Sequence, residues 1–180
     1  MKTQMKLSIL TIAMFAFILN ANVSMAQDDK AQRPSPPAKA SEKVGSTTIT
    51  VDYSQPSVKG RTIWGDLVPY GKIWRAGANE ATTFEASTDV SIDGKTLKAG
   101  KYALFVIPEA NSWTFVFNSV PNQWGAYNHD ASKDVLKVKV TPKKLDENVE
   151  KLTYKVKSDG GVYLKWSNMK GGFKVSSVQM

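Results

Sequence analysis

From Ser46 onward apolar and polar side chains alternate every second residue, and that period restricts the chain to strands that bury one face. Ile49, Val51 and Tyr53 alternate with Thr48, Thr50 and Asp52. Thr82 to Ala86 and Val90 to Ile92 are short strand candidates, and Asp93-Gly94 is a hairpin turn signal. Gly100 to Ile107 and Trp113 to Asn118 are rich in aromatic and β-branched residues, with Pro108 and Asn111 between them. Leu136, Val138 and Val140 oppose Lys137 and Lys139, and Leu152, Tyr154 and Val156 oppose Thr153, Lys155 and Lys157. Asp159-Gly160-Gly161 then turns the chain into Val162, Leu164 and Trp166, and Gly171-Gly172 precedes a last strand around Phe173 to Val178. Helical spacing is confined to one or two short turns, at Arg61 to Val68. The pattern predicts an all-β, antiparallel β-sandwich, jelly-roll-like, of roughly eight or nine strands.

The first residues do not share this pattern. Lys2 and Lys6 precede a run from Leu7 to Leu19 whose only polar members are Ser8 and Thr11. A membrane-spanning helix needs about 20 apolar residues, so this run is too short to span. Ser24-Met25-Ala26 places small residues where a leader peptidase cuts. Residues 1–26 are therefore expected to be a signal peptide and the protein to be exported, to the periplasm or the medium, after cleavage near Ala26. Residues 27–40, with Pro34, Pro36 and Pro37, read as a polar linker, and 41–180 as one domain. The chain has no cysteine, so its core alone must hold it together.

Charge is unevenly spread. Residues 27–132 carry 11 basic and 11 acidic side chains, whereas 133–180 carry 11 lysines and 5 acids. Because many of those lysines alternate with core residues, they belong on the outer face of a sheet. Solvation and protection of an edge explain such a face; attraction to an anionic envelope surface is the functional alternative. The Arg forks and interleaved aromatics of nucleic-acid sites are lacking, and no such partner is expected.

Two connections carry residues that alternation does not explain. Val68 to Thr82 holds Trp74, Arg75, Asn79 and Glu80; Pro121 to Asp130 holds Trp124, Tyr127 and His129. Aromatic faces beside planar hydrogen-bonding groups suit a saccharide or another small polar ligand, provided the two loops meet. Each residue also has a structural reading: the tryptophans as core, Arg75 and Glu80 as an ion pair, Asn79 as a left-handed turn residue.

Tyr53-Ser54-Gln55-Pro56, Leu67-Val68-Pro69-Tyr70-Gly71-Lys72, Trp74-Arg75, Gly77-Ala78-Asn79-Glu80, Ala99-Gly100-Lys101-Tyr102 and Gln123-Trp124-Gly125-Ala126-Tyr127 together resemble a bacterial family known as domain of unknown function 2911. The resemblance runs from about Arg33 to Val140 and more loosely beyond it. It implies export and a mostly β domain, and brings no activity or catalytic residue with it.

Nucleophile elbows, phosphate loops, dinucleotide fingerprints and zinc-protease motifs are all missing, and the single histidine rules out His-rich metal sites. The expected function is an exported, noncatalytic domain binding a carbohydrate-like ligand, with no cofactor and no metal. The alternatives are a small hydrolase or isomerase using Glu80 or His129, and an envelope-associated structural protein.

Overall fold

The computed structural model describes residues 30–178. The expected signal peptide lies outside the described residues. The chain divides at Pro36/Pro37. Ahead of that point the described piece is a short turn in which the Arg33 N–H reaches Lys30 O at 3.4 Å. Among the described residues no helix is long and apolar enough to cross a membrane.

From Pro37 on there are ten strands: β1 Pro37–Val44, β2 Thr47–Ser54, β3 Thr83–Ala86, β4 Val90–Ile92, β5 Lys95–Leu97, β6 Gly100–Pro108, β7 Trp113–Asn118, β8 Asp134–Val140, β9 Lys143–Val156 and β10 Gly161–Ser177. They form two antiparallel sheets, one in the order β1-β2-β3-β6-β7-β8 and one in the order β5-β4-β10-β9. Neighbours are mostly consecutive in sequence, so the sandwich is two meandering sheets rather than a set of long crossings. Between the sheets lies one core, built from alternate residues: Ile49 and Val51 of β2, Leu104 and Val106 of β6, Phe115 and Phe117 of β7, Leu152 and Tyr154 of β9, and Leu164 and Trp166 of β10.

Asp93 and Gly94, with φ of 47° and 82°, close the β4–β5 hairpin as the Asp-Gly signal predicts. Three local readings of the sequence are revised. Pro37 to Ala40 belongs to β1 rather than to the linker. Pro37 stands at the first position of β1, an edge strand, which is where a sheet tolerates a residue without an N–H. Arg61 to Val68 is not helical: the Val68 N–H bonds Ile63 O at 2.9 Å and the Gly65 N–H bonds Val68 O at 3.0 Å. This tight turn buries Ile63 and Val68 and turns Trp64 toward the core.

The third revision concerns Gly171-Gly172, which does not interrupt β10. The chain turns back earlier, around Ser167 with its φ of 52°, so that the later arm of β10 returns beside the earlier one and the Val175 N–H bonds Gly160 O at 2.8 Å. Before the turn Leu164 and Trp166 point inward; after it Gly171, Phe173 and Val175 do. The glycines are there for contact. A Cβ on Gly171 would fall on the buried indole of Trp113, and one on Gly172 would meet the Tyr163 ring.

Four tryptophans gather at one end of this core. Trp64 lies 4.5 Å from Trp113 and 5.8 Å from Trp74 between ring centroids, and Trp74 stacks on Trp166 at 5.9 Å and 15°.

Candidate functional site

The first unusual loop begins as an extension of the sheet. Where β3 ends, Gly71 and Trp74 take over pairing with β6: the Gly71 N–H bonds Pro108 O, and Trp74 exchanges bonds of 2.8 and 2.9 Å with Val106. Extended backbone sends successive side chains to opposite faces. Ile73 accordingly joins a small second core, and Trp74 joins the main one. Trp74 therefore does not share a surface with Trp124.

Between Arg75 and Thr82 the chain makes an excursion that is stapled at its base. The Thr82 N–H bonds Arg75 O at 3.2 Å, and Thr82 Oγ1 and the Tyr154 hydroxyl each donate to Ala76 O at 3.0 Å. Burial pushes the Tyr154 hydroxyl far above its ordinary pKa, so it stays a donor throughout the accessible pH range. Ala76 and Asn79 take left-handed backbone, with φ of 54° and 57°, and the Asn79 amide donates to Ser54 Oγ at 3.2 Å. The turn reading of Asn79 thus holds, with a structural bond for its side chain.

The two loops do meet. Glu80 and Trp124 face each other in an antiparallel bridge. The Ala81 N–H bonds Gln123 O at 3.0 Å, and the Gly125 N–H bonds Asn79 O at 3.1 Å. Together they cover the outer face of the six-stranded sheet over the second core of Ala81, Ala103, Phe105 and Val116, against which Ile73, Ile107 and Ala126 pack.

What they present outward is aromatic. Trp124 is 54% exposed and Tyr127 is 79% exposed. The Arg75 guanidinium sits 6.0 Å from the Tyr127 ring centroid, and its Nη1 donates to Asn79 O at 3.0 Å. A guanidinium carries five donors, so that bond occupies only one of them.

His129 plays a different part from the one its loop position suggests. Its ring meets Phe105 edge-on at 5.0 Å, and Nε2 lies 2.8 Å from Asp134 Oδ1. Asp134, whose side chain is 3% exposed, also accepts from Asn118 Nδ2 at 2.9 Å and pairs with Lys137 at 3.0 Å. Burial alone would raise the Asp134 pKa; the bonds from Asn118, Lys137 and His129 outweigh it and hold the carboxyl below its ordinary value. Asn118 also donates to Asp130 O at 3.0 Å and accepts from the Val120 N–H at 3.1 Å. The pair of Asn118 and Asp134 therefore ties both ends of the second loop to the sheet.

Neither Asn118 nor Asp134 is among the residues expected from sequence. The available signal is Asn118, a polar residue ending an apolar strand, which the structure buries to 1% exposure. Among the described residues no group of three or more His, Asp or Glu side chains is placed to hold a metal ion.

A family model described as "Protein of unknown function (DUF2911)" matches residues 35–175. No curated protein and no solved structure matches the chain.

Proposed function

The chain belongs to this family of unknown function, DUF2911, and from that premise we propose an exported, noncatalytic binding domain whose ligand lies on Trp124 and Tyr127. The single observation that carries this reading is two large aromatic side chains left exposed on a loop that a buried network holds in place. An exposed indole on a mobile loop would lose entropy on binding; one on a fixed loop loses far less. The ligand class that suits the surface is a saccharide or a related polyol, with apolar faces for the rings and hydroxyls for Arg75 and the Glu80 edge. Export follows the leader-like residues 1–26, with release to the periplasm or the medium after Ala26.

A hydrolase or isomerase built on His129 has less support. The histidine spends Nε2 on Asp134 and one ring edge on Phe105, which is the work of a strut.

The test is calorimetric titration of the protein with a panel of neutral oligosaccharides, repeated on Trp124→Ala. A Trp face covering ~100 Å² of ligand is worth ~2.5 kcal/mol at ~25 cal/mol/Å², so affinity should fall by ten- to a hundredfold, on the order of one to two decades. The melting temperature should stay within about a degree, because the side chain packs into no core. Equal binding by wild type and variant, or no binding across the panel, would remove the proposal.

A further inference from the structure

We propose that the outer face of the four-stranded sheet is a docking surface for a polyanion, an acidic polysaccharide by chemical class, lying across Tyr163 and held by Lys157, Lys165 and Lys170. This goes beyond the loop site, which covers the other sheet.

The face is built around an aromatic shelf. Gly161 and Gly172 lack side chains where a Cβ would come within 2.6 Å of the Tyr163 ring, so the ring rests against both. Lys170 Nζ stands 3.9 Å from the ring centroid and Lys157 Nζ 5.6 Å from it. Lys165 shares the outward parity of Tyr163 on β10, and Lys155 stands opposite Tyr163 on β9. Lys143 stands directly opposite Lys170. Among the described residues no salt bridge reaches Lys143, Lys157, Lys165 or Lys170.

Such an arrangement works against the fold. Like charges directly opposed across strands destabilise a sheet, and burial followed by repulsion from Lys165, Lys157 and Lys143 holds the Lys170 pKa below its ordinary value. Edge protection does not account for it, since β10 lies inside its sheet, between β4 and β9. An anion seated among these ammonium groups would relieve the repulsion and use the tyrosine face.

The positive charges are gathered rather than strung out. β10 folds back on itself, since the Val175 N–H bonds Gly160 O at 2.8 Å and a Cβ on Gly172 would meet Val162 O, and this brings Lys157 and Lys170 to the same tyrosine ring. A polymer with a carboxylate on each sugar can set successive charges against ammonium groups gathered in this way. None of the exposed large hydrophobic residues, Leu67, Tyr70, Val120, Trp124, Tyr127 and Val135, belongs to this sheet, so nothing here inserts into lipid. Asp146 and Glu147, which border Lys165 around a hollow of about 280 Å³, limit the path on one side.

The experiment titrates the protein with polygalacturonate, neutral dextran, and vesicles of phosphatidylglycerol, at about 0.05 M and 0.5 M salt, where screening lengths differ severalfold. Polygalacturonate should bind at low salt and release at high salt, dextran should not bind, and vesicles should bind at least tenfold more weakly. The triple variant Lys157→Gln/Lys165→Gln/Lys170→Gln should lose about tenfold or more in polygalacturonate affinity. It should melt no lower than wild type, because it removes like charges, whereas Trp124→Ala should bind polygalacturonate unchanged. Undiminished binding by the triple variant, absence of salt-sensitive binding, or vesicles binding as tightly as the polymer would each overturn the proposal.

Discussion

Trp166→Ala is expected to lower unfolding free energy by about 3–5 kcal/mol, the range for removing a large buried aromatic. The side chain is 1% exposed and it is the common partner of Trp74, stacked at 5.9 Å, and Trp64, edge-on at 6.2 Å. Alanine would leave a void next to indoles fixed from other sides: Trp74 by its backbone bonds to Val106, Trp113 by Gly171 beneath its ring. Neighbours so constrained cannot collapse inward, which places the cost at the upper end of the range. Trp166→Phe should behave differently. Trp166 Nε1 is buried with no acceptor among the described residues, and a buried unmet donor costs about 1–3 kcal/mol. Phenylalanine discards that donor while keeping much of the ring, so it should cost well under half of what alanine does. Denaturant melts of both variants check this; equal losses would mean that the indole N–H is satisfied.

Two of the five tryptophans show what was legible and what was not. Trp74 and Trp124 both sit in loops beside polar residues, and composition treats them alike. Their fates separate because Trp74 bridges Val106 of β6, and at that pairing Ile73 goes to one core and Trp74 to the other. That alternation is present in the sequence, but it has meaning only once the pairing partner is known. The strands themselves were readable for the converse reason. A residue such as Val51 has the same neighbours at i±2 whichever strand lies beside it, so period two survives ignorance of topology. Gly171-Gly172 misled because glycine is read as a turn signal by its freedom of φ, while here it is selected by size, to admit Trp113 and Tyr163. The meeting of the two loops rests on backbone bonds, Ala81 to Gln123 and Gly125 to Asn79, and backbone bonds leave no residue-type signature.

The loop that carries Trp124 and Tyr127 stays in place through Asp134, and removing that carboxylate should therefore damage stability and binding together. In Asp134→Ala, Asn118 Nδ2 and His129 lose a buried acceptor, at about 1–3 kcal/mol for each orphaned group, hence ~2–4 kcal/mol in all. Lys137, half-exposed, simply returns to water and adds little. Binding to neutral oligosaccharides should fall even at temperatures where the variant is folded, because Trp124 and Tyr127 then have to be ordered at the expense of ligand affinity. The pH dependence follows from the sign of the shift. A carboxyl whose folded pKa lies below its unfolded value of about 3.9 contributes stability in full above that value and loses it as pH falls through the folded pKa. Wild type should thus lose this contribution only below about pH 4, whereas Asp134→Asn, which cannot titrate, should show a shallower acid slope from a lower starting stability. Unfolding curves collected from neutral to acid pH on both proteins decide the matter: parallel acid slopes would show that Asp134 titrates as it does in the unfolded chain, and that something other than this carboxylate holds the aromatic loop.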